Sequence, residues 1–169
     1  MIRISRTATL PLLLLALPAC QQSPQPDQTG ANTADTQSAA APDAKPGLSA
    51  KDGRFALPAV KGNPGAGYFT LANGSDKAVV IAAVDVAGAG MAMLHQTKTT
   101  GGTASMEMME NAQVLPGATL DFAPGGNHVM VDGVPADWKP GASVEMTLTF
   151  ADGDKLTVPL TVVTPGGGG

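Results

Sequence analysis

The sequence is poor in cysteine, in aromatic residues and in charge, and each scarcity removes a class of function. With one cysteine, Cys20, no intrachain disulfide is available. Charged residues are 14% of the chain, the net charge is -4, and there is no run of Lys or Arg to neutralise a row of phosphates. Nucleic acid is therefore not an expected partner. Aromatics reach only 4%, and Tyr68 and Trp138, with no basic groove beside them, read as packing residues. Two histidines, no nucleophile elbow and no carboxylate pair in a motif context leave no constellation for acyl or glycosyl transfer, so an enzyme is not expected.

What is abundant is glycine (21) and proline (14), the composition of many short strands joined by turns. Residues 1–19 read as a secretory leader: Arg3 and Arg6 precede an apolar stretch from Leu10 to Leu17 that is too short to span a bilayer. Leu17-Pro18-Ala19-Cys20 resembles the lipobox of bacterial lipoproteins, although Pro18 is unusual at its position. That resemblance makes Cys20 a lipidation site and leaves no thiolate for metal or catalysis. Residues 20–50 have almost no large apolar side chain and read as a tether, which as a random coil holds the domain roughly 30 Å from the membrane.

From 51 to 164 short apolar or alternating segments recur about every ten residues, which predicts an all-β sandwich or barrel of one domain. The strands expected are 54–60, 67–72, 78–86, 91–98, 104–109, 119–122, 127–131, 143–150 and 155–163. The clearest alternation sets Val144, Met146, Leu148 and Phe150 against Glu145, Thr147 and Thr149. Asn73-Gly74, Pro124-Gly125-Gly126, Pro140-Gly141 and Asp152-Gly153 are turn signals, and a helical turn is allowed near Ala136 to Lys139. Residues 165–169 form a glycine tail.

Both histidines and six of the eight methionines lie between positions 91 and 130. Imidazole and thioether are the donors that soft Cu(I) prefers, and the carboxylate clusters that Mg or Ca would need are absent. His128 and Met130 are two apart in an expected strand and so share a face; Met106 and Met108 do likewise, and His95 shares a face with Met93 and Met91. Met91, Met109 and Met146 are read as core packing, and Glu107 and Asp132 as solvated surface charges.

His95, ten residues, Met106, twenty-one residues, His128, one residue and Met130 reproduce the spacing of the periplasmic copper chaperone family PCuAC. The resemblance covers roughly Lys51 to Val163, including Pro64-Gly65-Ala66-Gly67-Tyr68-Phe69 and Pro124-Gly125-Gly126-Asn127-His128-Val129-Met130. It implies a cupredoxin-like, immunoglobulin-like Greek-key β-sandwich with an exposed Cu(I) site. The implied ligands are His95, Met106, His128 and Met130. The implied role is delivery of copper to the dinuclear copper centre of cytochrome c oxidase, or to another copper chaperone, by a monomeric protein on the extracytoplasmic, periplasmic side.

Two departures matter. Many members have Met after the first histidine where this chain has Gln96, so Met93 and Met108 become candidate auxiliary ligands. Some members also carry a His- and Met-rich C-terminal extension associated with Cu(II), and the glycine tail has none, which argues against a second copper site. Outside the cytoplasm a thioether cannot be lost to a disulfide, so a carrier without cysteine ligands is chemically reasonable there. A blue-copper electron-transfer protein is disfavoured, because it needs a cysteine thiolate on the metal. Two alternatives remain: a periplasmic copper buffer or resistance protein, and an immunoglobulin-like interaction lipoprotein whose methionines only pack. For the anchor, Cys20→Ser is expected to move the protein from the membrane to the soluble fraction; unchanged fractionation would refute lipidation.

Overall fold

The computed structural model describes residues 45–166. The leader, Cys20, most of the tether and the last three glycines lie outside the described residues. Ten strands follow in order: β1 Leu48–Ala56, β2 Gly65–Asn73, β3 Val79–Val86, β4 Ala92–Thr100, β5 Thr103–Met108, β6 Ala112–Val114, β7 Thr119–Phe122, β8 Asn127–Val131, β9 Ser143–Phe150 and β10 Lys155–Val163. No helix occurs among the described residues, and Ala136 to Lys139 contributes only a turn closed by Trp138 N–H donating to the Pro135 carbonyl (3.3 Å).

The strands form one sheet in the order β5-β4-β8-β7-β2-β1-β10-β9-β3-β6, with β8 also paired to β2. The sheet curls until β3 packs against β4, so the inner faces close on one core. Two-residue alternation builds that core: Met146, Leu148 and Phe150 on β9 and Leu156, Val158, Leu160 and Val162 on β10 point inward, with Thr147, Thr149 and Thr157 between them only partly covered. Each fully buried large apolar side chain contributes about 1.5–3 kcal/mol, which outweighs the loss of its exposed alternatives.

β1 begins at Leu48, inside the segment read as tether, and ends at Ala56 rather than Val60. Pro58 cannot donate to a ladder, so the chain turns away there. Within β1 a bulge separates Lys51 from Arg54, with Asp52 at φ 57°. A side chain on Gly53 would run into the Pro159 carbonyl, so glycine lets β1 reach its parallel partner β10. β6 escaped sequence reading because three residues carry too little alternation to register. Met146 is fully buried and Met109 packs against the core, as expected, whereas Met91 is 65% exposed. Its carbonyl accepts from Asp132 N–H (2.8 Å) just before β4 begins, and this turn leaves the side chain outside. Trp138 packs edge-on against Phe55, with ring centroids 5.1 Å apart.

Asn73 ends β2 and is 1% exposed, yet its amide is satisfied. Nδ2 donates to the carbonyls of Lys77 (2.8 Å) and Val114 (3.0 Å), and Oδ1 accepts from the Ser75 N–H (3.0 Å) and Oγ (2.6 Å). The side chain thereby ties β2 to β6 on the far edge of the sheet. Asn73→Ala strands two carbonyls and is expected to cost about 2–3 kcal/mol in urea unfolding; a loss below about 0.5 kcal/mol would mean that water replaces the amide.

Candidate metal centre

Three adjacent strands carry the predicted donors. His95 on β4 is paired directly with His128 on β8, and Met93 with Met130. On the other side of β4, Thr97 faces Met106 and His95 faces Met108 on β5. Paired residues share a face, so all these side chains leave the sheet on the side away from Leu94, Val129 and Val131, which are buried in the core.

Met106, His128 and Met130 line one open depression of about 410 Å3, together with Tyr68, Thr97 and the loop residues Asn63 and Pro64. His95 joins them through its ring, which lies 5.8 Å from that of His128 at an angle of 60°. Met93 and Met108 do not line this depression. They line a neighbouring one with Met109, although the backbone pairs them with Met130 and His95. Gln96 alternates to the opposite face, where its Nε2 donates to Asn127 Oδ1 (3.2 Å). A methionine at position 96 would therefore leave the strand away from His95 unless the strand rotated locally.

The two imidazoles are prepared differently. Nδ1 of His128 lies 3.1 Å from the Gly126 carbonyl. A carbonyl only accepts, so the bond places the proton on Nδ1 and leaves the lone pair on Nε2. Nδ1 of His95 is buried with no hydrogen-bond partner. An unpaired buried ring nitrogen is costly, and a metal ion is one group that would satisfy it. Burial holds the pKa of His95 below the ordinary imidazole value; the nearby His128 lowers it further, and Asp132 opposes both. His95 is thus kept neutral, the form that ligates. Among the described residues no group of three or more His, Cys, Asp and Glu is placed to hold a metal, so only soft or borderline donors converge here. Glu107 is an exposed surface charge bound to Lys98 (2.6 Å), as expected.

Tyr68 departs from its expected packing role. Gly65, Gly67, Phe69 and Leu71 alternate inward along β2, so Tyr68 faces out beside His128 and Met130, with the Arg54 guanidinium 5.7 Å from its ring. The alternation of small and apolar residues in β2 was the signal for this. Gly67 lets β2 approach β8, since a Cβ there would stand 3.3 Å from Cβ of Val129, the residue between the two β8 donors.

The family model described as "Putative lipoprotein LpqE-like" matches residues 48–162. The chain belongs to this LpqE-like lipoprotein family, which is related to PCuAC. A Leifsonia xyli subsp. xyli protein with a similar lipoprotein name is 36% identical over 90 residues, 53% of this chain and 54% of that one. The chain thus matches about half the length of that curated relative. The solution structure of Cu(I)-DR1885 from Deinococcus radiodurans is 30% identical, with TM-score 0.55, covering 76% of this chain and 83% of that one. The copper-bound PCuAC domain from PmoF2 shares the fold at 19% identity, with TM-score 0.59 and coverage of 70% and 94%. The LpqE-like domain is therefore an all-β, cupredoxin-like sandwich, as the sequence resemblance implied.

The lowered pKa of His95 has a consequence for the apo domain. The unfolded chain binds the proton more tightly than the folded one, so this residue contributes a loss of stability as pH falls from the unfolded imidazole value toward the lower folded one, and nothing above it. His95→Gln is expected to flatten the decline in melting temperature between about pH 7.5 and about pH 5. An unchanged slope would show that His95 titrates alike in both states.

Proposed function

We propose that this LpqE-like lipoprotein is a copper carrier, not an enzyme. It holds one Cu(I) between His95, Met106, His128 and Met130 and gives it to a copper-accepting domain. The observation that supports this most directly is the meeting of two imidazoles and two thioethers from β4, β5 and β8 on one face of the sheet. The donor set is neutral and soft, which favours Cu(I) over hard divalent ions. The Deinococcus relative named for its Cu(I) form adds support.

The residues divide the work. His128 is oriented by the Gly126 carbonyl, and His95 is kept neutral by desolvation. Met106, 67% exposed on an edge strand, is the donor nearest the solvent and the first that an incoming ligand from a partner would displace. Exchange of one thioether at a time lets copper move without ever being free. This openness favours a carrier over a storage or resistance protein, which would enclose its ion. The recipient we propose is the dinuclear copper centre of cytochrome c oxidase or another copper chaperone. The place is the periplasmic, extracytoplasmic face, with the protein a monomer held by lipid on Cys20. The family's lipoprotein description supports the anchor.

Competition with a chromophoric Cu(I) chelator is expected to give one tightly bound equivalent, and a stoichiometry near zero would end the proposal. Met130→Leu and His128→Ala should each weaken binding by more than the roughly 10–100-fold that loss of a merely supporting partner costs. Met146→Leu, a core change of similar volume, should leave affinity within about twofold. Equal losses from all three would mean that folding was being measured. Mixing the loaded protein with the apo copper domain of an oxidase tests delivery, and retention of the metal would favour buffering.

A further inference from the structure

On the outer face of the sheet the depression of Met106, His128 and Met130 has two unlike flanks. Its β5 flank is open, because Met106 stands on an edge strand exposed along its whole length. Its β2 flank is occupied by one bulky side chain. Ala66 is paired with Met130 and Gly67 with Val129, so the same register carried one residue further brings Tyr68 level with His128. The outward positions of β2 here are Ala66, Tyr68 and Thr70, and Thr70 is engaged elsewhere, its Oγ1 donating to Asp121 Oδ1 (2.8 Å). Ala66 and Tyr68 both line the depression, and only the tyrosine is large.

The core takes Phe69 and Leu71 from β2, which leaves Tyr68 with no inward contact to make. On its other side Arg54 of β1 is its cross-strand partner, with the guanidinium 5.7 Å from the ring centroid and so within cation–π range. The ring thus stands in a row between Arg54 and His128, fixed from behind and half-buried.

We propose that Tyr68 is a positioning residue that shuts the β2 flank of the copper site, so that the ion enters and leaves only past Met106. This rests on the four-donor reading of the site. The phenol is a hard oxygen donor and a poor match for Cu(I), so the ring acts by keeping water and competing ligands from the His128 side and not by ligation. Arg54 holds the ring in place. The consequence is directional: a partner's ligand reaches the ion along β5, where the thioether it replaces is the exposed one, and the bond to His128 is the last to break.

A barrier of this kind alters rates and leaves the equilibrium alone, which separates it from a ligand and from a determinant of the fold. The experiment follows Cu(I) uptake, and Cu(I) loss to excess chromophoric chelator, by stopped flow without oxygen, alongside equilibrium competition. It compares the full chain with Tyr68→Ala, Tyr68→Phe and Arg54→Gln. Tyr68→Ala is expected to speed uptake and loss alike by about tenfold or more, while affinity stays within about threefold. Tyr68→Phe keeps the ring and should restore slow exchange, and Arg54→Gln should fall between the two. Unchanged rates in Tyr68→Ala overturn the proposal. So does faster loss with unchanged uptake, which would make the ring a binding contact, or a loss of affinity shared by Tyr68→Ala and Tyr68→Phe, which would make the phenol oxygen a donor. Where Tyr68→Ala is too unstable to load, Arg54→Gln decides, and exchange as slow as in the unsubstituted chain overturns the proposal. An unsubstituted chain that takes up no Cu(I) removes the four-donor reading and this proposal with it, whereas unchanged rates on an intact site remove this proposal alone.

Discussion

The pairing of β4 with β8 is the constraint on which the rest depends. Leu94 sits opposite Val129 and both are buried, so this pair points into the core and obliges His95 and His128 to meet on the other side. A one-residue slip would carry two imidazoles into an apolar interior and expose Leu94, Val129 and Val131. Burial of those three side chains contributes on the order of 5 kcal/mol, so the hydrophobic core holds the donor register. The core thus sets the placement of the two imidazoles without help from any ligand.

A core that sets the register also explains why the donors sit where they do in depth. β8 is an interior strand flanked by β4, β7 and β2, so His128 and Met130 are partly covered. β5 is an edge strand exposed along its whole length, so Met106 stands in solvent. The same face thus offers a firm end and a loose end. If the four residues hold copper as proposed, this grading suits an ion that is held and then surrendered, because only the loose donor would have to leave for a partner's ligand to enter. The electrostatics of this face are mild: the candidate donors are uncharged, and burial and His128 lower the pKa of the His95 imidazole while Asp132 opposes them.

β2 supplies the wall. Its inward glycines allow close approach to β8, and a Cβ at Gly65 would come within 2.5 Å of the Phe55 ring. Tyr68 is delivered to the rim as a consequence, with Arg54 over its face. The bulge at Asp52 and Gly53 precedes Arg54 and sets its pairing with Tyr68, so an irregularity in β1 bears on the surroundings of the donors. Fold details far from any histidine shape the depression through such contacts.

Much was legible before any coordinates. Strands β7 to β10 were read to the residue, because each repeats an apolar position every second residue between turn-forming glycines and prolines, a pattern that local sterics and burial dictate together. The candidate donors could be picked out because the sequence has only two histidines and their spacing to two methionines is distinctive. What lay beyond the sequence was whatever depends on the neighbour across the sheet: the short β6, the start of β1 at Leu48, the outward turn of Met91, and the division of the methionines between two depressions. Residue type and period state which side chains share a face of one strand. Only the curl of the sheet and the register between strands decide which of those faces come together, because those are settled by packing among residues distant in the chain.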